Sequence, residues 1–196
     1  MLAGLFAATQ FVLISNFSEF QWVLNPDFSF AMALESLRWN INSVLYEELV
    51  FRGYLLYKAI ELLGTRKACF LSAAAFGIYH WFSYGVFGNV VPMIYVFVLT
   101  ASFGFMLAYS FARSKSVVLP IALHLGWNIV TIMVFSNGPI GSQLLVPSIA
   151  EPMAMDAVQQ ILTSLVVPLS LVILVLWLVT KKVRRYQQPN SGNCRT

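Results

Sequence analysis

Long apolar runs, each near the length of a bilayer-spanning helix, limit what this chain can fold into. They lie at roughly residues 2–24, 39–60, 68–83, 89–112, 117–136 and 158–180. A helix needs about 20 mostly apolar residues to cross the hydrocarbon core of a membrane. Only 10% of the 196 residues are charged, whereas soluble domains carry about 25%. The sequence therefore predicts an all-α, polytopic membrane protein with about six transmembrane helices.

The apolar runs recur along the whole chain, which predicts one integral membrane domain over residues 1–183 with no soluble module. Residues 184–196 are predicted to form a polar, disordered tail. Residues 27–38 are more amphipathic, and either lie along the membrane surface or extend the second helix.

The distribution of Lys and Arg predicts how the chain is oriented in the membrane. Short connections that carry Lys or Arg alternate with connections that lack them, as the positive-inside rule requires. The cluster KKVRR at residues 181–185 follows the last apolar run and places the C-terminus in the cytoplasm. We therefore expect a plasma (inner) membrane protein. The net charge of +4 follows from this flank, so we expect the lipid bilayer as a partner and no nucleic acid.

Three ionisable residues interrupt the second apolar run, in the stretch VLYEELVFRGYLLY over residues 44–57. Glu48 and Arg52 are four residues apart with the acid first, the order that favours an ion pair on one helix face. Glu47 points about 100° away around the helix, so its partner must come from another helix. Charged groups within a membrane are costly and usually face a cavity or each other.

The two histidines of the chain lie in two further apolar runs. His80 ends the stretch FGIYH, and His124 begins the stretch HLGWN, in which Asn128 follows on the same helix face. Together with Glu47 they predict a shared polar cavity within the bundle. The motifs fall within a core of about residues 39–136.

Two kinds of hydrolytic chemistry suit these residues. Glu47 and His80 could activate a water molecule, while His124 and Asn128 stabilise a developing oxyanion. Alternatively, Glu47, His80 and His124 form a two-histidine, one-carboxylate set that could hold zinc or another divalent metal. The residues leave both alternatives open.

The motifs resemble those of a known family of intramembrane proteases. The CPBP family (CAAX protease and bacteriocin-processing), also called Abi or type II CAAX prenyl endopeptidases, carries E-E-x-x-x-R, F-x-x-x-H and H-x-x-x-N/D on membrane helices. These motifs read here as EELVFR (47–52), FGIYH (76–80) and HLGWN (124–128), in the family's order.

The resemblance implies endopeptidase chemistry in a conical cavity that peptide or protein substrates, including prenylated CAAX proteins, can reach. Glu47 matches the water-activating glutamate, assisted by His80, while His124 and Asn128 match the oxyanion residues. Glu48, Arg52 and Phe76 match supporting members of the motifs. The family is commonly described as metalloproteases, and a metal-free glutamate mechanism has also been argued. Members often have about eight membrane helices, so the chain would be a minimal variant or lack N-terminal helices.

Two other functions compete with this interpretation. A non-catalytic member would act as a membrane scaffold or bacteriocin-immunity protein that binds a peptide partner, and its effect would survive loss of Glu47. A proton-coupled transporter would use the same Glu and His residues as a proton relay.

Overall fold

The computed structural model describes residues 1–135 and 143–187, and the fold in these two segments is mostly helical. Residues 188–196 of the predicted tail lie outside these two described segments. The helices are α1 (Leu2–Phe17), α2 (Phe30–Arg52), α3 (Tyr54–Leu63), α4 (Thr65–Ser83), α5 (Val90–Ser114), α6 (Val118–Asn128), α7 (Ala157–Ile161) and α8 (Val167–Gln187). A π-helical segment, Ile129–Val134, continues α6, and a second, Leu162–Val166, joins α7 to α8.

The second helix begins earlier and ends sooner than the apolar run predicts. The side chain of Ser29 caps α2 by accepting a hydrogen bond from the backbone N–H of Met32 at 3.2 Å. The amphipathic segment therefore extends this helix, one of the two expected alternatives. The prediction of a continuous helix over 39–60 is wrong, because the chain bends at Gly53. A Cβ atom at Gly53 would collide with the carbonyl oxygen of Leu49, so only glycine fits this bend.

The first helix is also shorter than predicted, since α1 ends at Phe17 and the next residues form a strand. Glu19 adopts a left-handed conformation (φ 55°) that turns the chain. Strand β1 (Trp22–Leu24) then pairs antiparallel with β2 (Leu145–Pro147), with Val23 opposite Val146. This pairing puts the α1–α2 connection and the segment before α7 at one end of the bundle.

Within the described residues, two helical segments are long and apolar enough to cross a membrane, Val90–Ser114 and Ala157–Lys181. The helices Leu2–Phe17 and Val118–Val134 are apolar but shorter. Five of the 23 residues of α2 are charged, which keeps its hydropathy low. The total of about six transmembrane helices stays a prediction.

Helix α5 lies at the centre of the bundle, because it contributes to both apolar clusters of the core. One cluster joins α1, α5, α6 and α8 through Ala3, Met106, Leu107, Leu123, Leu171, Val172 and Val175. The other joins α3, α4 and α5 through Leu56, Ala68, Cys69, Ala108 and Ala112. Glycine lets α4 and α5 approach closely, since a Cβ atom at Gly104 would lie 3.0 Å from the ring of Phe76.

Candidate active site

The buried face of α2 carries the charged residues of the first motif. Glu48 and Arg52 are fully buried, and Glu47 is 7% exposed. Nη1 of Arg52 lies 3.3 Å from Oε1 of Glu48, so the predicted ion pair is present. A buried charge that lacks its partner is strongly destabilising, which is why the two residues belong together at this position.

Phe76 and the backbone of α5 complete the surroundings of Arg52. The guanidinium carbon lies 4.2 Å from the centroid of the Phe76 ring, within the range of a cation–π interaction. Nη2 donates a hydrogen bond of 3.5 Å to the carbonyl oxygen of Gly104. The centroid of the Phe76 ring also lies 4.3 Å from that of the His80 ring, so Phe76 packs against both the guanidinium and this histidine.

Glu48 also contacts His124, a contact that the sequence reasoning missed. Nδ1 of His124 lies 2.8 Å from Oε1 of Glu48. A carboxylate can only accept here, so it holds the hydrogen on Nδ1 and turns Nε2 away from itself. The two residues are 76 positions apart, and no local spacing in the sequence relates them. Glu48 therefore links the first motif to the third.

His80 is held in a similar way by its own helix. Its Nδ1 lies 2.7 Å from the carbonyl oxygen of Phe76, which can only accept a hydrogen bond. In the neutral ring the lone pair is therefore on Nε2. This atom lies 3.9 Å from Oε2 of Glu47, and Nε2 of His124 lies at the same distance from that oxygen. Three predicted site residues from three helices thus converge on one point.

The two carboxylate oxygens of Glu47 have different surroundings. Oε1 accepts a hydrogen bond of 3.3 Å from the hydroxyl of Ser43, one turn earlier on α2. Oε2 faces the two histidines and has no hydrogen-bond partner within residues 1–135 and 143–187. Ser43 was not among the predicted site residues, although its spacing of four from Glu47 could have indicated it. The free oxygen is therefore the one available for chemistry.

Asn128 lies at the end of α6, one turn beyond His124 and about 6 Å along the helix axis. It is half-buried, and within the described parts of the chain no hydrogen bond joins it to Glu47, His80 or His124. The structure thus brings six of the seven predicted residues together and leaves Asn128 at the edge of this cluster.

The donors around Glu47 have the chemistry of a metal site but lie about 0.5 Å farther apart than the ligands of a bound zinc. Each histidine presents Nε2 while its Nδ1 is held by an oxygen, the usual arrangement of metal-ligating histidines. The ligands of a tetrahedral zinc lie about 3.4 Å from one another, whereas Oε2 lies 3.9 Å from each Nε2. In the described part of the chain no three His, Cys, Asp or Glu side chains are placed to hold a metal.

One family model matches the chain, that of the Rce1-like type II CAAX prenyl endopeptidases, over residues 29–130. The match covers more than half of the sequence and includes all three motifs and helices α2 to α6. No curated protein and no solved structure matches. This chain is therefore an integral membrane protein of the Rce1-like type II CAAX prenyl endopeptidase family, a family of proteases.

Proposed function

We propose that this protein is an intramembrane endopeptidase that hydrolyses peptide bonds of membrane-associated substrates, including prenylated CAAX proteins. The observation that carries the proposal is the position of Glu47. Its free carboxylate oxygen lies 3.9 Å from Nε2 of both histidines, in the buried interior of a family member. One water molecule between these groups would be within reach of all three.

Glu47 and His80 are proposed to activate this water. Oε2 of Glu47 takes a proton from the water, while the lone pair on Nε2 of His80 accepts a hydrogen bond from it and orients it. The water oxygen forms a bond to the carbonyl carbon of the substrate and produces a tetrahedral oxyanion. When the C–N bond breaks, Glu47 returns the proton to the leaving nitrogen.

His124 and Asn128 are proposed to stabilise the oxyanion. Nε2 of His124 can donate a hydrogen bond when it carries a proton, and Glu48 aims it by holding Nδ1. The amide of Asn128 can donate from the next turn of α6. Glu48, Arg52 and Phe76 would then act as support, since they fix the ring of His124 and compensate the buried charge.

A divalent metal would be held by Glu47, His80 and His124, and when bound it would acidify the attacking water and polarise the substrate carbonyl. The three donors would have to move together by about 0.5 Å to reach zinc distances. The glutamate route described above uses the residues at their present spacing. The chelator and zinc arms of the experiment distinguish the metal route from the glutamate route.

The setting of the site is part of the proposal. About six transmembrane helices would surround a polar cavity that is open to the peptide, in the plasma (inner) membrane. The C-terminus and the polar tail over 184–196 would lie in the cytoplasm. The alternation of basic and uncharged connections supports this orientation.

The experiment is cleavage of a quenched fluorescent peptide library, with farnesylated members, by purified protein in detergent. Glu47→Gln and His80→Ala run beside the wild type, and the melting temperature of each variant shows that it is folded. A chelator and added zinc form parallel arms. We expect both variants to lose cleavage while folded, because each removes a group that acts on the water. Cleavage that persists in either variant contradicts the assignment.

A further inference from the structure

A stripe of polar side chains leads along α2 to the proposed catalytic glutamate. The stripe consists of Ser36, Asn40, Ser43 and Glu47, at spacings of four, three and four residues. These spacings place all four on one helix face. Ser36 and Asn40 are fully buried. From Glu47 back to Ser36 the stripe extends about 16 Å along the axis of α2, toward the end of the helix that follows strand β1.

The two buried members of the stripe carry oxygens without protein partners. Within residues 1–135 and 143–187, the hydroxyl of Ser36 and Oδ1 of Asn40 have no hydrogen-bond partner. The amide nitrogen of Asn40 donates to the carbonyl oxygen of Ser36 at 2.9 Å, and Oδ1 is the amide atom that has no partner there. Buried polar atoms are nearly always hydrogen-bonded, to protein or to bound water.

The neighbouring helix at this level offers Asn40 almost nothing polar. The contact between Glu48 and His124 and the contact of α2 with Ile129–Val134 show that α2 and α6 are antiparallel. In a parallel pair, Ile129–Val134 would lie beyond the end of α2. Asn40 lies eight residues before Glu48 on α2, and residue 132 lies eight residues after His124. In an antiparallel pair these two positions are therefore at the same level. The only polar side chain of Ile129–Val134, Thr131, donates its hydroxyl hydrogen to the carbonyl oxygen of Trp127.

Water is the ligand whose size and chemistry fit these atoms. Asn40 Oδ1 accepts hydrogen bonds, and a hydroxyl both donates and accepts. Ser43 donates to Glu47, so its oxygen can still accept from a water molecule. Every peptide bond that is hydrolysed consumes one water, which must reach Glu47.

We propose that Ser36 and Asn40 bind water and, with Ser43, form the path by which water reaches Glu47. The role of this path rests on the proposed peptidase function, whereas the water-binding site itself does not. Two measurements separate the two statements.

The first measurement is kinetic and uses Asn40→Leu, Asn40→Ser and a matched control, Asn42→Leu. Asn42 is exposed on the same helix, so its replacement makes the same chemical change away from the stripe. We expect Asn40→Leu to lower kcat about tenfold or more with KM unchanged. Its melting temperature should equal or exceed that of the wild type, because an apolar group replaces an acceptor that no protein group pairs. Asn40→Ser, which keeps a polar group, should restore kcat to within about threefold, and Asn42→Leu should match the wild type.

The second measurement is X-ray radiolytic hydroxyl labelling in H₂¹⁸O, read by mass spectrometry. Val44 is fully buried and lies one turn from Asn40 on the stripe face, whereas Val175 is 3% exposed in the apolar core. Water on the stripe should label Val44 in the wild type more than Val175, and Asn40→Leu should abolish the difference.

The outcomes separate failure of the inference from failure of the proposed function. Equal labelling of the two valines overturns the water site, as does a lowered melting temperature of Asn40→Leu, which would show that Asn40 has a structural partner. Unchanged kcat in Asn40→Leu overturns the path. Labelling of Val44 without any peptide cleavage supports the water site and contradicts the peptidase alone.

Discussion

The buried ion pair of Glu48 and Arg52 is expected to affect stability and activity in different ways. The perturbation is a double-mutant cycle of Glu48→Met, Arg52→Met and the double variant. At the observed 3.3 Å between Nη1 and Oε1, the Coulomb attraction is about 5 kcal/mol in an effective dielectric constant of about 20. Removal of one partner of a buried pair costs about 3–5 kcal/mol, because the other charge stays buried alone.

For a chain of this length, such a loss corresponds to a fall in melting temperature of about 6–20 °C. Each single variant should show a fall of this size when intrinsic tryptophan fluorescence is followed during heating in detergent. The double variant should melt closer to the wild type than either single variant, since methionines replace both charges. Glu61→Gln is the control, because it breaks the exposed pair of Lys58 and Glu61 (2.7 Å) and should cause no measurable change.

The order of the three variants in peptidase activity should differ from their order in stability. Glu48→Met and the double variant both lose the hydrogen bond that orients His124, so neither should cleave the reporter peptide efficiently. Arg52→Met keeps that bond and should retain more activity at a temperature where it is folded. Additive losses of stability in the double variant would refute the ion-pair reasoning. Full activity of Glu48→Met would refute the role given to its contact with His124.

Other perturbations test single contacts. Gly53→Ala forces a Cβ atom against the carbonyl oxygen of Leu49, and should cost about 1–3 kcal/mol of stability, measured as a lower melting temperature. Phe76→Leu removes the ring beside the guanidinium of Arg52, and should cost about 2 kcal/mol by the same measurement. Ser43→Ala removes the hydrogen bond to Glu47 and should lower kcat without changing KM. Ser43→Thr keeps the hydroxyl and should restore kcat. Equal kcat in the two variants would contradict this role of Ser43. His80→Ala should lower kcat about 10²–10⁴-fold with an unchanged melting temperature.

The sequence predicted those parts of the site that depend on helix geometry alone. The pair of Glu48 and Arg52 follows from a spacing of four residues. The need of Glu47 for neighbours on other helices follows from its direction around α2, and His80 and His124 lie 3.9 Å from its free oxygen. The family resemblance is confirmed by the match over residues 29–130.

Other features depend on the packing of distant segments, which no local pattern records. The contact of Glu48 with His124 depends on the antiparallel packing of α2 and α6. The β1–β2 pair joins segments more than 100 residues apart, and its residues at 22–24 read as the end of an apolar helix. The bend at Gly53 lies inside an apolar run whose hydropathy continues across it, so composition did not indicate it.

Hydrolysis that depends on Glu47 is the central claim, and mass spectrometry of a farnesylated CAAX peptide incubated with protein in liposomes tests it most directly. Wild type and Glu47→Gln are compared at equal amounts of folded protein. The account predicts two fragments whose masses add up to the peptide plus one water with the wild type, and intact peptide with Glu47→Gln. The same fragments at the same rate with both proteins would contradict it.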